Sequence, residues 1–210
     1  MGFIDIHSHI LPNMDDGSHS DEESLAMLRI ACEEGTDLIY ATPHNMPGKG
    51  RPSPERVYEQ TDRLQNLADE AGIPIQIYPG TEYYFREEIM ELFEQNRAIP
   101  FGDSPYVLVE FDPLAERNYV RNALRDIRGT DYIPVLAHIE RYLRVMEDME
   151  FVEGLHKLGV LIQINAASVT GDNGWKAKND TKKLLKQHLV DFIGTDAHNN
   201  TKRAPHISKC

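Results

Sequence analysis

His7-Ser8-His9 places two imidazoles two residues apart, and in an extended chain such residues face the same side. Both rings can therefore reach one ion. Alone the pair is a weak signal. It gains weight from the residues that follow: Asp16, His44, Glu82, Glu110, His138, Asp196 and His198. A mixed imidazole and carboxylate set without thiolate suits Mn, Fe or Zn, and Mg less well. The set is too rich for one ion, and a bridged cluster of two or three divalent ions is the natural expectation. In such a cluster one ion lowers the pKa of water to supply hydroxide near neutral pH. Another polarises the electrophile and steadies the leaving oxygen. The electron-rich phosphoryl group benefits especially, so the expected chemistry is metal-dependent phosphate ester hydrolysis.

These residues need elements that bring them to one place. Short β-rich runs alternate with helical stretches, the pattern of an α/β fold with a mostly parallel sheet. The expected strands are 3–6, 37–42, 75–80, 106–111, 133–137, 160–164 and 190–194. The first runs into His7 and His9, with Asp16 in the loop behind it. The second runs into His44, the third into Glu82, and the fourth contains Glu110. The fifth meets His138 and the seventh meets Asp196 and His198, so only the sixth delivers no ligand. In α/β barrels the site gathers at the carboxyl ends of the strands, and strict alternation suggests such a closure. An open doubly wound sheet has the same local signals. Between the strands, Ser20 with Glu23 predicts a capping box and Gly35 a helix stop. Ser53-Pro54 opens a second helix carrying Val57, Leu64, Leu67 and Ala71 inward, and Gly72 ends it. Asp112-Pro113 predicts the same opening ahead of Leu114, and helices are expected near 147–158 and 176–189.

Each residue has a plainer reading. A single His is more often a hydrogen-bonded surface or core residue than a ligand. Asp15-Asp16-Gly17 could simply be a turn. Glu110 follows the apolar run Val107-Leu108-Val109, so burial is expected, and an unpaired buried carboxylate is expensive. Independent placement of so many N and O donors at matching strand ends is improbable, and that coincidence favours the metal cluster.

Composition narrows the classes. The 210 residues read as one domain, and a net charge of −12 disfavours nucleic acid. About six positive charges from three ions would offset part of that excess. No apolar run is long enough for a membrane span, no signal peptide is visible, and the cytoplasm is the expected compartment. Cys32 reads as a small buried hydrophobe in the first helix, and Cys210 is isolated at the last position, so thiol chemistry is not expected. The Pro- and Gly-rich segment 43–54, with Lys49 and Arg51 beside His44, reads as a cationic lid or as a plain surface loop.

The motifs Asp5-Ile6-His7-Ser8-His9-Ile10-Leu11-Pro12, Met14-Asp15-Asp16-Gly17, Ala41-Thr42-Pro43-His44 and Pro79-Gly80-Thr81-Glu82 resemble the polymerase and histidinol phosphatase (PHP) superfamily. More narrowly, Leu108-Val109-Glu110-Phe111, Ala137-His138-Ile139-Glu140-Arg141-Tyr142 and Thr195-Asp196-Ala197-His198-Asn199 look like its bacterial tyrosine-protein phosphatase branch. That branch includes the capsule-regulating phosphatases of Gram-positive bacteria. The resemblance runs from the first strand to about Pro205. It implies a distorted seven-stranded (β/α) barrel of PHP type over 1–210, and a trinuclear, usually Mn-dependent centre. The implied ligands are His7, His9, Asp16, His44, Glu82, Glu110, His138, Asp196 and His198. Arg141 and Arg203 match arginines near the phosphate, a role suited to a guanidinium fork. His44 stands with them among the residues expected to act in catalysis. The implied substrate is a phosphotyrosine protein, a bacterial tyrosine kinase that controls exopolysaccharide synthesis, and a homo-oligomer is compatible. The resemblance implies a further helical segment past the Arg203 region, which is not among these 210 residues. Two rival readings stay open: another phosphoesterase of the superfamily, such as a histidinol-phosphate phosphatase, and a metal-binding regulatory module without turnover.

Overall fold

The computed structural model describes residues 2–210. In chain order it runs β1 (Phe3–Ser8), α1 (Asp21–Glu33), β2 (Thr36–Ala41), β3 (His44–Asn45), α2 (Pro54–Glu70), β4 (Gln76–Pro79), β5 (Glu82–Tyr84) and α3 (Met90–Glu94). There follow β6 (Tyr106–Glu110), α4 (Arg117–Arg128), β7 (Ile133–Leu136), α5 (Leu143–Met146), α6 (Met149–Lys157), β8 (Leu161–Asn165), α7 (Ala166–Thr170), α8 (Trp175–Lys186) and β9 (Phe192–Gly194). One sheet has the order β1-β2-β4 and the other β3-β5-β6-β7-β8-β9, and their ladders are parallel.

The sheets meet end to end because two strand paths are interrupted just where the expected strands 37–42 and 75–80 end, and resume as β3 and β5. Pro43 has no N–H to donate, and the ladder breaks there between β2 and β3. Gly80 breaks the neighbouring strand between β4 and β5. A Cβ at Gly80 would lie 3.0 Å from Thr42 Cγ2, tighter than ordinary contact. Across the breaks Gly80 N donates to Ala41 O at 2.9 Å and Glu82 N to Pro43 O at 3.1 Å. At the other edge, Asp196 N donates to His7 O and His9 N to Ala197 O, both at 2.8 Å. The buried Asp5 carboxylate adds to this seam by accepting Thr195 N at 2.9 Å and Thr195 Oγ1 at 2.5 Å. The parallel sheet is thereby curled on itself.

Strand alternation sorts the core. Val107 and Val109 of β6 face outward, into a large apolar cluster that includes Val120 and Leu124 of α4, Leu155 of α6 and Leu184 of α8. Leu108 faces inward with Ile6, Phe101, Val135 and Ala137, forming an apolar floor inside the curl. Glu110, two residues beyond Leu108, shares its side of the strand. A third cluster packs Met27 and Leu28 of α1 and Leu64 of α2 against Ile39 and Ile77.

Several expectations are corrected. Glu23 leaves half of its capping box unmade: Ser20 Oγ accepts Glu23 N, but Glu23 reaches His19 N instead of Ser20 N. In α2 the buried stripe is Val57, Thr61, Leu64 and Ala68, while Ala71 is exposed, because it is the C-cap, one residue past the last turn of the helix. Asp112-Pro113 makes a turn, not a helix start. Its Oδ1 accepts Leu114 N at 2.7 Å and its carbonyl accepts Ala115 N at 2.9 Å, so α4 begins only at Arg117. The helix expected near 147–158 is α6, Met149–Lys157, which Asp148 caps by accepting Phe151 N at 3.0 Å. Cys32 is half-buried in α1, and neither it nor Cys210 is in a disulfide. Among the described residues no helix is long and apolar enough to cross a membrane.

Candidate metal centre

Glu82, at the start of β5, is fully buried and lies at the middle of the predicted donors. Its Oε2 is 3.3 Å from His7 Nε2, 3.3 Å from His9 Nε2 and 2.9 Å from His44 Nδ1. Its Oε1 is 2.8 Å from His138 Nε2. Glu110 Oε1 lies 2.9 Å from the same His44 nitrogen, and Asp196 Oδ1 lies 3.6 and 3.5 Å from His7 and His9 Nε2. Three overlapping groups, His9/His44/His198, His7/His9/Glu82 and His44/Glu82/Glu110, each bring one donor atom per residue within 4.8 Å of the others. Asp16 sits at the rim, more exposed than the rest. Its Oδ1 is 3.4 Å from His44 Nε2 and 3.7 Å from His198 Nε2, and its Oδ2 is 2.9 Å from Lys49 Nζ. All the residues expected as ligands thus converge.

The outward hydrogen bonds of three imidazoles set their tautomers. The backbone N–H of His138 donates to Gln163 Oε1 at 2.8 Å, which identifies that atom as the amide oxygen. His7 Nδ1, 3.2 Å from the same oxygen, must then donate. His9 Nδ1 donates to Asp15 Oδ2 at 2.6 Å, and His198 Nδ1 to the Asp196 carbonyl at 3.0 Å. Each ring therefore presents the lone pair of Nε2 to the interior, as metal-ligating histidines do. The Nε2 atoms of His7 and His9 are 3.2 Å apart, a repulsive arrangement of lone pairs unless a cation or proton lies between them.

Orphaned polar atoms make the same point. Buried His44 Nδ1, Glu82 Oε2, Glu110 Oε1 and His198 Nε2 have no hydrogen-bond partner, although such atoms cost free energy when left unsatisfied. They face one another, and divalent cations would satisfy all of them together. The donor set fits the metal.

Electrostatics follows from crowding. Burial alone would raise the pKa of Glu82, but the charges of His7 and His44, with the hydrogen bond from His138, hold it well below the carboxylate range. Burial likewise opposes ionisation of Asp196, and His7, His9 and Arg203 outweigh it. Burial disfavours the charged form of His44, yet Glu82 and Glu110 beside it raise its pKa to about 9. Burial and the neighbouring His9 instead push His198 down to about 2. With protons as the only cations, the cluster holds them on histidines beside the ionised carboxylates.

Two site residues hold unfavourable backbone. His138 has φ +34° and Asp196 φ +53°, the left-handed region that non-glycine residues avoid. Both follow strand ends, where the chain must turn a donor back over the sheet. Arg141, one turn beyond His138, and Arg203 both reach Asp196 Oδ2, at 3.2 and 2.9 Å. They line a cleft of about 1110 Å³ that opens beside Asp196.

Sequence reasoning missed the residues that hold the candidate donors in place. Asp15, read only as part of a turn, orients His9 and accepts His44 N at 2.8 Å. The sixth strand, expected to deliver no ligand, supplies the supporting amides Gln163 and Asn165. Asn165 Nδ2 donates to Asp196 Oδ2 at 2.9 Å, and Asn165 N donates to the buried Glu140 at 3.0 Å. No spacing signal distinguishes such amides from ordinary strand residues.

The profile of the family described as capsular polysaccharide synthesis, CpsB/CapC, matches residues 3–210. Tyrosine-protein phosphatase YwqE of Bacillus subtilis is 33% identical over 206 residues, covering 98% of this chain and 81% of that protein. Tyrosine-protein phosphatase CpsB of Streptococcus pneumoniae is 30% identical over 211 residues, covering 98% and 87%. In a crystallographic study of those two proteins, described as metal-dependent tyrosine phosphatases, one chain superposes with a TM-score of 0.92 at 32% identity, covering 99% of this chain and 83% of that one. A histidinol phosphate phosphatase from Lactococcus lactis, solved with zinc, L-histidinol and phosphate, shares the fold at TM-score 0.63 and 15% identity, covering 95% and 88%. The protein described here belongs to the CpsB/CapC family.

Proposed function

We propose that this protein is a metal-dependent protein-tyrosine phosphatase whose centre is held by His7, His9, Asp16, His44, Glu82, Glu110, His138, Asp196 and His198. The observation that carries this reading is the set of inward-facing, hydrogen-bond-orphaned donors around Glu82, beside two arginines on Asp196. Mn2+ is the proposed ion, in a cluster of two or three, with Fe, Zn and Mg as the other candidates for a set without thiolate. When bound, the ions supply an activated water at neutral pH and Lewis acidity at phosphorus. The side chains do the rest. Arg141 and Arg203 take the phosphoryl oxygens as charge-assisted donors, and Asp196 fixes both guanidinium groups beside the reacting centre. Asp15, Gln163 and the Asp196 carbonyl keep the histidine rings in one tautomer and orientation. His44, with its second nitrogen 3.4 Å from Lys49 Nζ, is the residue we assign to proton exchange. The leaving phenolate, with a pKa of about 10, needs only modest protonation.

The proposed substrate is a phosphorylated bacterial tyrosine kinase in the cytoplasm that controls exopolysaccharide synthesis. Support comes from the polysaccharide role in the family's description and from the named activity of the relatives. We treat residues 1–210 as one domain and its curled sheet as a distorted seven-stranded barrel. In that count β2 with β3 and β4 with β5 each form one interrupted strand, and the β9–β1 seam closes the ring.

Phosphate release from a phosphotyrosine peptide by metal-stripped protein, with and without Mn2+, tests the reading. Release that needs Mn2+ and outlasts thiol alkylation is expected. Faster turnover of histidinol phosphate than of the peptide would move the protein to the other phosphoesterase class, and no release from any ester would leave a regulatory metal-binding module.

A further inference from the structure

The cleft beside Asp196 does not end at the arginines. Lys176 and Leu143 line it and also line a second groove of about 730 Å³, which runs along α8. The two form one path leading away from the metal centre. Trp175, Asn179, Lys182 and Lys186 follow one another along that groove at helical spacing, so they make a single stripe on one face of α8.

The stripe has an unusual composition for this chain. Trp175 is 81% exposed and Leu143, across the groove, 41% exposed. Large aromatic side chains left in water beside a cleft mark interaction sites more often than single aliphatics do. The charged part of the stripe is basic, and lysines outnumber the two carboxylates of the groove, Glu147 and Asp180, although the protein as a whole carries a net charge of −12. Asp180, the one acidic residue of α8, is already held by Lys176 at 2.6 Å and Lys183 at 3.3 Å. Lys182 and Lys186 have no ion pair among the described residues, and both are exposed.

We infer that this groove docks the substrate segment flanking the phosphotyrosine, and that it selects a segment rich in carboxylates with one aromatic or large apolar side chain. The inference rests on the phosphotyrosine reading for what enters the metal centre. The apolar side chain packs between Trp175 and Leu143, and the carboxylates lie along Lys182 and Lys186. The stripe from Trp175 to Lys186 is about 16 Å long, which an extended peptide covers with about five residues. Charge complementarity makes the partner acidic: a basic segment would meet unpaired lysines, and a second copy of this acidic chain would have to bring a matching acidic face.

Trp175 is the single tryptophan of the chain, so its emission reports on the groove directly. Two unphosphorylated peptides, one with glutamates and a phenylalanine around a tyrosine and one with lysines in their place, would be titrated into the full chain. The acidic peptide is expected to shift the emission, in a salt-sensitive manner, at a concentration at least about tenfold lower than the basic one. The double variant Lys182→Glu/Lys186→Glu should lose that preference and turn over phosphotyrosine peptides with acidic flanks about tenfold less efficiently in kcat/KM. Its turnover of p-nitrophenyl phosphate should match wild type, which also shows that it folds. Equal response to the two peptides, or unchanged discrimination in the double variant, would overturn the inference. So would an emission shift that depends only on protein concentration, with a dimer in light scattering that Trp175→Ala abolishes. Absence of turnover on every ester would instead count against the phosphatase reading, while the emission titration would still decide for or against the groove.

Discussion

Asp15 Oδ2 accepts the Nδ1 proton of His9 across 2.6 Å, and the same oxygen accepts the backbone N–H of His44 at 2.8 Å. One carboxylate thereby fixes the tautomer of a histidine just past β1 and the start of β3. It also separates the roles of two adjacent aspartates, since Asp16 faces Lys49 and the rim. Asp15→Ala frees the His9 ring and leaves His44 N without its acceptor. Metal affinity or activity is expected to fall by about 10–100-fold, the usual effect of losing a residue that orients a ligand. Manganese titration followed by phosphate release checks this, and unchanged affinity would remove Asp15 from the centre.

Metal uptake should release protons. In the metal-free protein His44, with its pKa at about 9, carries a proton at neutral pH, and a cation needs the lone pair that the proton occupies. The sign is therefore fixed: affinity rises as pH climbs toward about 9 and then levels off as far as His44 is concerned. Each displaced proton contributes about tenfold per pH unit. Calorimetry in buffers of different ionisation enthalpy counts the protons released, and a value of zero near neutral pH would contradict the charge state assigned to His44.

Arg141 and Arg203 share Asp196 Oδ2 but come from different elements, one after β7 and the other after β9. Arg141→Ala or Arg203→Ala removes a charged donor worth about 1.5–3 kcal/mol, so kcat/KM on a phosphotyrosine peptide should drop about 10–100-fold. Metal content should stay near wild type, because neither guanidinium is a ligand. Loss of metal with loss of activity would make these arginines structural supports of Asp196.

Stripping the metal should loosen the whole fold. Glu82 gathers donors from several strands, and ions that bind only the folded state stabilise it by about 2.7 kcal/mol at a hundredfold excess over Kd. For a chain of this size that corresponds to a fall in Tm of about 5–10 °C on chelation. Glu82→Gln should abolish most of the difference, since it removes the central charge while keeping the shape. Thermal unfolding of the four combinations measures it.

A local prediction tests a helix start that was legible from sequence. Ser20 Oγ accepts Glu23 N at 3.2 Å at the opening of α1. Ser20→Ala should cost about 1 kcal/mol in denaturant unfolding, with metal binding and turnover unaffected.

What the sequence determined by itself was which candidate donors converge and the order of the elements. Histidine and carboxylate identities cannot be disguised, and alternation of β-rich runs with capped helices is a local property of short windows. Hence His7, His9, His44, Glu82, Glu110, His138, Asp196 and His198 were named, with the strands that carry them. Helix ends set by local capping, at Ser53 and Gly72, also held. Where a tertiary contact competes with the local signal, reading from sequence failed. Asp112-Pro113 looks like a helix start but closes a turn.

Only the tertiary structure decided how the donors are held. Asp15, Gln163 and Asn165 act through hydrogen bonds across long sequence separations, which leave no periodic trace in the chain. The left-handed backbone at His138 and Asp196 is likewise invisible locally, because it is imposed by packing against neighbouring strands. The same holds for the seam in which Asp5 grips Thr195 across |i−j| = 190, bringing the first and last strands together around Glu82. Residue type states what chemistry is possible, and it is contact between distant segments that fixes the distances at which it can occur.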